Sequence, residues 1–184
     1  MESYLEDLAH AVEHIDLDVL EQVMELMVKC RENGRFVWVI GNGGSALTAS
    51  HLAVDLGKGA SYGKRERFRV VALTDNIGTV TAYGNDTNFS DIFVEQLKNV
   101  VQPGDLLISI SGSGNSENVI QAVQYCRSIG VTTIGLTGKS GGRLASMSDY
   151  VFQATTNHMG RIEDLHMIVV HLLTYYFMEM EAME

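Results

Sequence analysis

His51 and Asp55 stand four residues apart in SALTASHLAVDL, a stretch whose spacing predicts a helix, so the two side chains share one helical face. A second set lies in RIEDLHMIVVH, where Arg161, Glu163, His166 and His171 interrupt an otherwise apolar segment. Burying such groups without partners is costly, so they must meet something. Two imidazoles and two carboxylates from these stretches suit zinc or another divalent cation. They equally suit proton transfer. Geometry divides the second stretch: Glu163 and His171 are eight residues apart, or about 12 Å along a regular helix. Glu163 and His166, at i and i+3, converge more readily. The same residues also fit a bland arrangement, a surface histidine beside a helical carboxylate and a helix whose polar groups pair across subunits.

Two further stretches are built from glycine, serine and asparagine. Gly41-Asn42-Gly43-Gly44-Ser45 directly follows the apolar run FVWVI, and Ser111-Gly112-Ser113-Gly114-Asn115-Ser116 directly follows DLLISI. A helix N-terminus leaves backbone N–H groups free and carries partial positive charge. Glycines let that backbone approach a ligand closely, and serine hydroxyls add donors and acceptors. Together these make a phosphate cradle. Neither stretch fits the G-x-G-x-x-G fingerprint or ends in Gly-Lys-Ser/Thr. Ser116 followed by Glu117 also reads as a plain N-cap, so cap and cradle remain alternatives there.

The elements that must position these residues follow from periodicity. Residues 1–33 repeat apolar side chains at three and four, as one long helix or two, and stop at Asn33-Gly34, a good C-cap pair. FVWVIG reads as a buried parallel strand. Similar runs recur at RVVALT, DLLISIS and VTTIGLTG, with a weaker one at DYVFQAT. Helical patterns fill the gaps at about 44–57, 89–100, 116–129 and 141–147, and a last helix covers roughly 160–181. Strands alternating with helices predict an α/β three-layer sandwich with a five-stranded parallel sheet and helices on both faces. In such sheets ligands bind beyond the carboxyl ends of the strands, where both glycine–serine stretches fall.

Length and charge narrow the function. The 184 residues are read as a single domain, 1–184, with residues 1–33 as a helical extension packed on it. The formal charge of −10 argues against a nucleic-acid phosphate backbone as partner, while leaving room for a small anion held by local dipoles. Cys30 and Cys126 sit in apolar helical patterns and read as buried free thiols of a reducing compartment. The acidic start lacks the order of a signal peptide, and Leu165 to Met178 is too short to span a bilayer. A cytoplasmic protein without membrane partners is expected.

Five pieces, VIGNGGSALTASHLAVDL, ALTDNIGTVTAYGNDTNF, PGDLLISISGSGNSENVIQA, GLTGKSGGRLASMSDYVF and RIEDLHMIVVHLL, resemble the SIS (sugar isomerase) family, and within it the phosphoheptose isomerases. The resemblance implies a flavodoxin-like SIS fold and conversion of sedoheptulose 7-phosphate to D-glycero-D-manno-heptose 7-phosphate, feeding nucleotide-heptose synthesis for lipopolysaccharide or capsule. It implies that Ser111, Gly112, Ser113 and Ser116 bind the phosphate, that Asn42, Gly43, Gly44 and Ser45 contact the substrate, and that Asp86 makes a polar contact to the sugar. His51, Asp55, Glu163 and His171 fall on positions that hold zinc at a subunit interface in several members, usually in a homotetramer. Asp55 or Glu163 would then be the base and His171 the acid partner of an enediol mechanism. Four positions depart from the family pattern: Asp55 replaces Glu, Glu163 replaces Gln, Gly112 replaces Thr, and Gly59, beside Lys58, replaces Arg. These departures leave room for another heptose or octose phosphate as substrate. The alternative to an enzyme is a phosphosugar-binding or scaffold protein, which would need the serine loop but not the His–carboxylate set.

Overall fold

The computed structural model describes residues 2–180. Its strands are β1 (Phe36–Gly41), β2 (Arg69–Ala72), β3 (Leu106–Ser111), β4 (Thr132–Thr137) and β5 (Tyr150–Gln153). All pair in parallel, in the order β2-β1-β3-β4-β5. Strand side chains alternate between faces, and here that alternation divides two cores. Val37, Val39, Leu106, Ile108 and Ile110 face a cluster with Val23 and Met27 of α2 (Leu17–Glu32), Ala49 and Leu52 of α3 (Gly44–Val54), and Val170 and Leu173 of α8 (Met159–Tyr175). Trp38, Ile40 and Leu107 face the other cluster, with Leu97 of α5 (Val94–Val100), Ile120 and Val123 of α6 (Glu117–Ser128) and Leu144 of α7 (Gly142–Met147). The expected α/β sandwich with five parallel strands is therefore present.

The N-terminal region is two helices rather than one. α1 (Glu2–Val12) ends before Asp16, whose carboxylate caps α2 by accepting the Val19 N–H at 3.1 Å. α2 stops at Asn33, followed by Gly34 with φ +61°. α1 lies on α8: Tyr4 donates to Asp164 at 2.5 Å, and Arg161 bonds the carbonyls of Ser3 and Tyr4 and pairs with Asp7.

Several boundaries differ from expectation. The sequence pattern left residues 75–88 unassigned, yet α4 (Ile77–Asp86) forms there, capped by the Asn76 side chain on the Thr79 N–H. α4 buries none of its residues fully; only Val80 and Tyr83 half-bury against the core, too short an apolar stripe to announce it. The stretch expected as a helix over 89–100 is a 3-10 turn, Phe89–Asp91, followed by α5. α3 ends at Val54 and continues as a π-helical turn, Asp55–Gly59; α8 likewise passes into one at Tyr176–Met180. The last residue of the expected terminal helix, 181, lies outside the described residues. Cys30 and Cys126 are both free and buried, and burial pushes both thiols up to about 12. No helix among the described residues is long and apolar enough to cross a membrane.

Candidate active site

The strand order reverses at β1. The chain goes from β1 outward to β2, then returns to β3 on the other side of β1. β1 and β3 are thus adjacent and parallel, with Gly41 in register with Ile110. Their following loops, 41–45 and 111–116, flank the crevice at this switch point, where open α/β sheets take ligands. A reciprocal amide pair joins the loops: Asn42 and Asn118 each donate to the other's carbonyl oxygen at 2.9 Å.

The serine loop is built to present hydroxyls. Ser111 Oγ lies 3.4 Å from Ser113 Oγ and 3.2 Å from Ser116 Oγ. Ser116 occupies the N-cap position of α6 but makes no side-chain cap bond, so the plain capping alternative does not hold; its hydroxyl turns to Ser111 instead. Three hydroxyls therefore converge at the N-terminus of a 12-residue helix. Gly114 turns the chain with φ +64°. The loop after β4 supports it from behind: Gly138 N–H donates to the Gly112 carbonyl at 3.0 Å, and Leu144 N–H to that of Gly114 at 2.9 Å. His166, expected near Glu163, is instead 2% exposed and donates from Nε2 to the Thr137 carbonyl at 3.2 Å, at the end of β4. Burial holds its imidazole down to about 4, so it is neutral near pH 7.

The first loop is arranged differently. Gly43, with φ +56° and no side-chain bond, caps α3, while Ser45 is 8% exposed. A Cβ on Gly44 would lie 2.6 Å from Glu163 Oε1, so the Glu163 carboxylate rests directly over the N-terminus of α3. A helix N-terminus favours an anion, and here the chain supplies its own. Glu163 is half-buried and forms no hydrogen bond or ion pair among the described residues.

Farther along, α3 and α8 run side by side in the same direction, Gly44 meeting Glu163, His51 meeting His171 and Asp55 meeting Thr174. His51 Nε2 lies 3.0 Å from His171 Nε2 and 3.3 Å from Asp55 Oδ2. Thr174 Oγ1 reaches Asp55 Oδ2 at 3.5 Å. One ligand atom from each of His51, Asp55 and His171 falls within 4.8 Å of the others. Tetrahedral zinc with bonds of about 2.0–2.1 Å sets its ligand atoms about 3.3 Å apart, so this donor set fits a divalent cation with one position left open. Glu163 is not part of that group. The structure thus brings together three of the four expected ligands and places the fourth at the loops, as the spacing along α8 requires. His51 and His171 are exposed. Asp86 ends α4, exposed, accepting from the Asn85 side chain at 2.8 Å; among the described residues it forms no hydrogen bond or ion pair with either loop or the histidines.

Sequence reasoning missed three residues here. Thr174, three beyond His171, was recoverable from helical spacing. Asn118 and Met159 carried no signal, because their partners Asn42 and Gly112 are remote in sequence.

Comparison with known proteins places this geometry. The SIS domain family matches residues 2–138. The phosphoheptose isomerase of Shewanella loihica is 38% identical over 157 residues, 84% of this chain and 79% of that protein. That of Rhodospirillum rubrum is 42% identical over 140 residues, 76% of this chain and 74% of its own. The solved structure of phosphoheptose isomerase from Neisseria gonorrhoeae superposes with a TM-score of 0.87 at 32% identity, covering 96% of this chain and 95% of that one. A uniform parallel sheet, two loops at its switch point and relatives of this identity over most of their length agree: the chain belongs to the SIS domain family and, within it, to the phosphoheptose isomerases.

Proposed function

We propose that this chain isomerises sedoheptulose 7-phosphate to D-glycero-D-manno-heptose 7-phosphate in the cytoplasm, supplying heptose for lipopolysaccharide or capsule. The observation that carries the reading is the convergence of Ser111, Ser113 and Ser116 hydroxyls at the N-terminus of α6, with the unpaired Glu163 carboxylate on the other side of the same crevice. The hydroxyls and helix N–H groups anchor the phosphate and orient the sugar. Asn42, Gly43, Gly44 and Ser45 line the β1 side of the crevice, and Asp86 would reach the sugar only from the end of α4.

Aldose–ketose exchange moves a proton between C1 and C2 through an enediol. Glu163 is the carboxylate best placed to take the carbon-bound proton, since Asp55 is already engaged by His51 and Thr174. With no cation bound, His171 is the group placed to move a proton at the sugar oxygens. His51, Asp55 and His171 would hold zinc, which when bound polarises those oxygens.

Along α8 the histidine cluster lies at His171, whereas the serine loop lies beside Met159 at the start of the helix, and the cluster faces outward. Leu47, 73% exposed, and Val54, 62% exposed, flank His51 on α3, and Tyr175, 48% exposed, lies beside His171. An apolar stripe around polar catalytic groups suits a surface covered by another copy. We therefore read the protein as a homotetramer in which the cluster of one subunit closes over the serine loop of its neighbour.

A coupled assay with sedoheptulose 7-phosphate, run before and after chelation and again with zinc restored, tests the reading. Turnover that falls with chelator and returns with zinc is the expected result. A folded, metal-replete protein with no turnover would overturn it. Light scattering should return four times the 20.2 kDa chain mass.

A further inference from the structure

We infer that Met159 forms the wall of the substrate site at its phosphate end and selects for a phosphate ester over free phosphate. The inference rests on reading the Ser111–Ser116 loop as the phosphate cradle.

Gly112 separates two of the converging serines. A Cβ at 112 would lie 2.7 Å from Met159 Sδ and 3.3 Å from Met159 Cε. The thioether of Met159 thus fills the space that any side chain at 112 would occupy. Its setting is not that of a core methionine: the residue is 50% exposed, at the first position of α8. Four residues on, Glu163 covers Gly44 in the same way. Residues at i and i+4 share a helix face, so one face of α8 roofs both loops, with an apolar wall over the serine loop and an anionic one over the other. The backbone that carries them is held by α1, through Tyr4 on Asp164 and Arg161 on Ser3, Tyr4 and Asp7.

A thioether offers almost no hydrogen bond to a phosphate oxygen. It cannot compete with the serine hydroxyls, and it presents an adaptable apolar surface. The part of a sugar phosphate that such a surface fits is the CH2 group bonded to the ester oxygen. Inorganic phosphate has no such group and gains nothing from the wall. Position 112 and position 159 therefore share one volume: a side chain can stand at one or the other, and in this chain it comes from α8.

The experiment uses the whole protein with sedoheptulose 7-phosphate as substrate and inorganic phosphate as competitor. Met159→Ala should raise KM about fivefold with kcat little changed, the pattern of lost uniform binding. Its inhibition constant for inorganic phosphate should stay within about twofold of wild type, because the serine hydroxyls are untouched. Met159→Leu, close in volume, should keep KM within about twofold. Gly112→Thr should weaken substrate binding in the wild-type background and much less in the Met159→Ala background, a coupling that a shared volume demands. An unchanged KM in Met159→Ala, an equal change in both constants, or additive effects at 112 and 159 would each overturn the inference. Wild-type protein that neither turns over nor binds the sugar phosphate would instead overturn the cradle reading itself.

Discussion

The two glycine–serine loops have nearly the same composition, follow adjacent strands and open helices of similar length, yet they end in opposite states. The loop after β1 is closed by its own chain. Its helix N-terminus faces the Glu163 carboxylate, Ser45 is buried, and Asn42 is held by Asn118. The loop after β3 keeps its three hydroxyls together and uses none to cap α6. Composition makes an anion site possible at both. Which one stays open is decided by α8, which lays a carboxylate over the first and a thioether beside the second. In the proposed mechanism the first of these loops then presents the base and the second the anchor.

Four experiments can break or sharpen that division. The largest effect is expected from Glu163→Gln, with turnover down by about 10²–10⁴-fold as for loss of a general base, while affinity for the sugar phosphate is kept. Activity within about tenfold of wild type would move proton abstraction to Asp55. Next comes acid. His166 supports only the serine side, through the end of β4, and its folded value of about 4 lies below the ordinary 6.5. The unfolded chain then binds more protons between those values, so stability rises with pH across that window. It is fully present above about pH 6.5 and lost as pH falls through about 4, a change on the order of 3 kcal/mol. Urea titrations from pH 7 to pH 4 should show this slope, and it should flatten in His166→Asn. An unchanged slope would remove His166 as its source.

Third, Ser116→Ala should weaken sugar-phosphate binding about 10- to 100-fold, the worth of a hydrogen bond to a charged group, whereas Ser45→Ala should leave it almost unchanged. Equal losses would mean that both loops bind the phosphate. The smallest effect should come from Asn118→Ala, which touches both loops at once. It leaves the Asn42 amide without its partner, and chemical denaturation should read a loss of about 1–2 kcal/mol. No loss would show that the amide pair does not tie the loops together.

Much of this molecule was legible before any fold was drawn. Runs such as FVWVIG and LLISIS read as buried strands, because they are short, carry no charged residue and are rich in β-branched or apolar side chains that need cover on both faces. The alternation of strand and helix implied parallel pairing, and that pairing places both loops at one edge of the sheet. Helical spacing put His51 with Asp55 on one face, as in the structure, and it warned that Glu163 and His171, expected in one ligand set, are far apart along a regular helix. α4 escaped because only Val80 and Tyr83 half-bury against the core, and two such positions leave little periodic mark.

What tertiary structure alone decided is who meets whom across long separations. His51 reaches His171 over 120 residues, Asn42 reaches Asn118 over 76, and Met159 reaches Gly112 through the return of α8 across the sheet. Local spacing is governed by backbone geometry over a turn or two, so sequence alone determines it. Contacts between remote segments depend on how whole helices seat on the sheet, which is set by summed packing over two cores. Thus the chemistry available to this protein, hydroxyls, imidazoles and carboxylates at strand ends and on helix faces, was determined by its sequence. The assignment of a carboxylate to one loop and an open cradle to the other waited on the docking of α8.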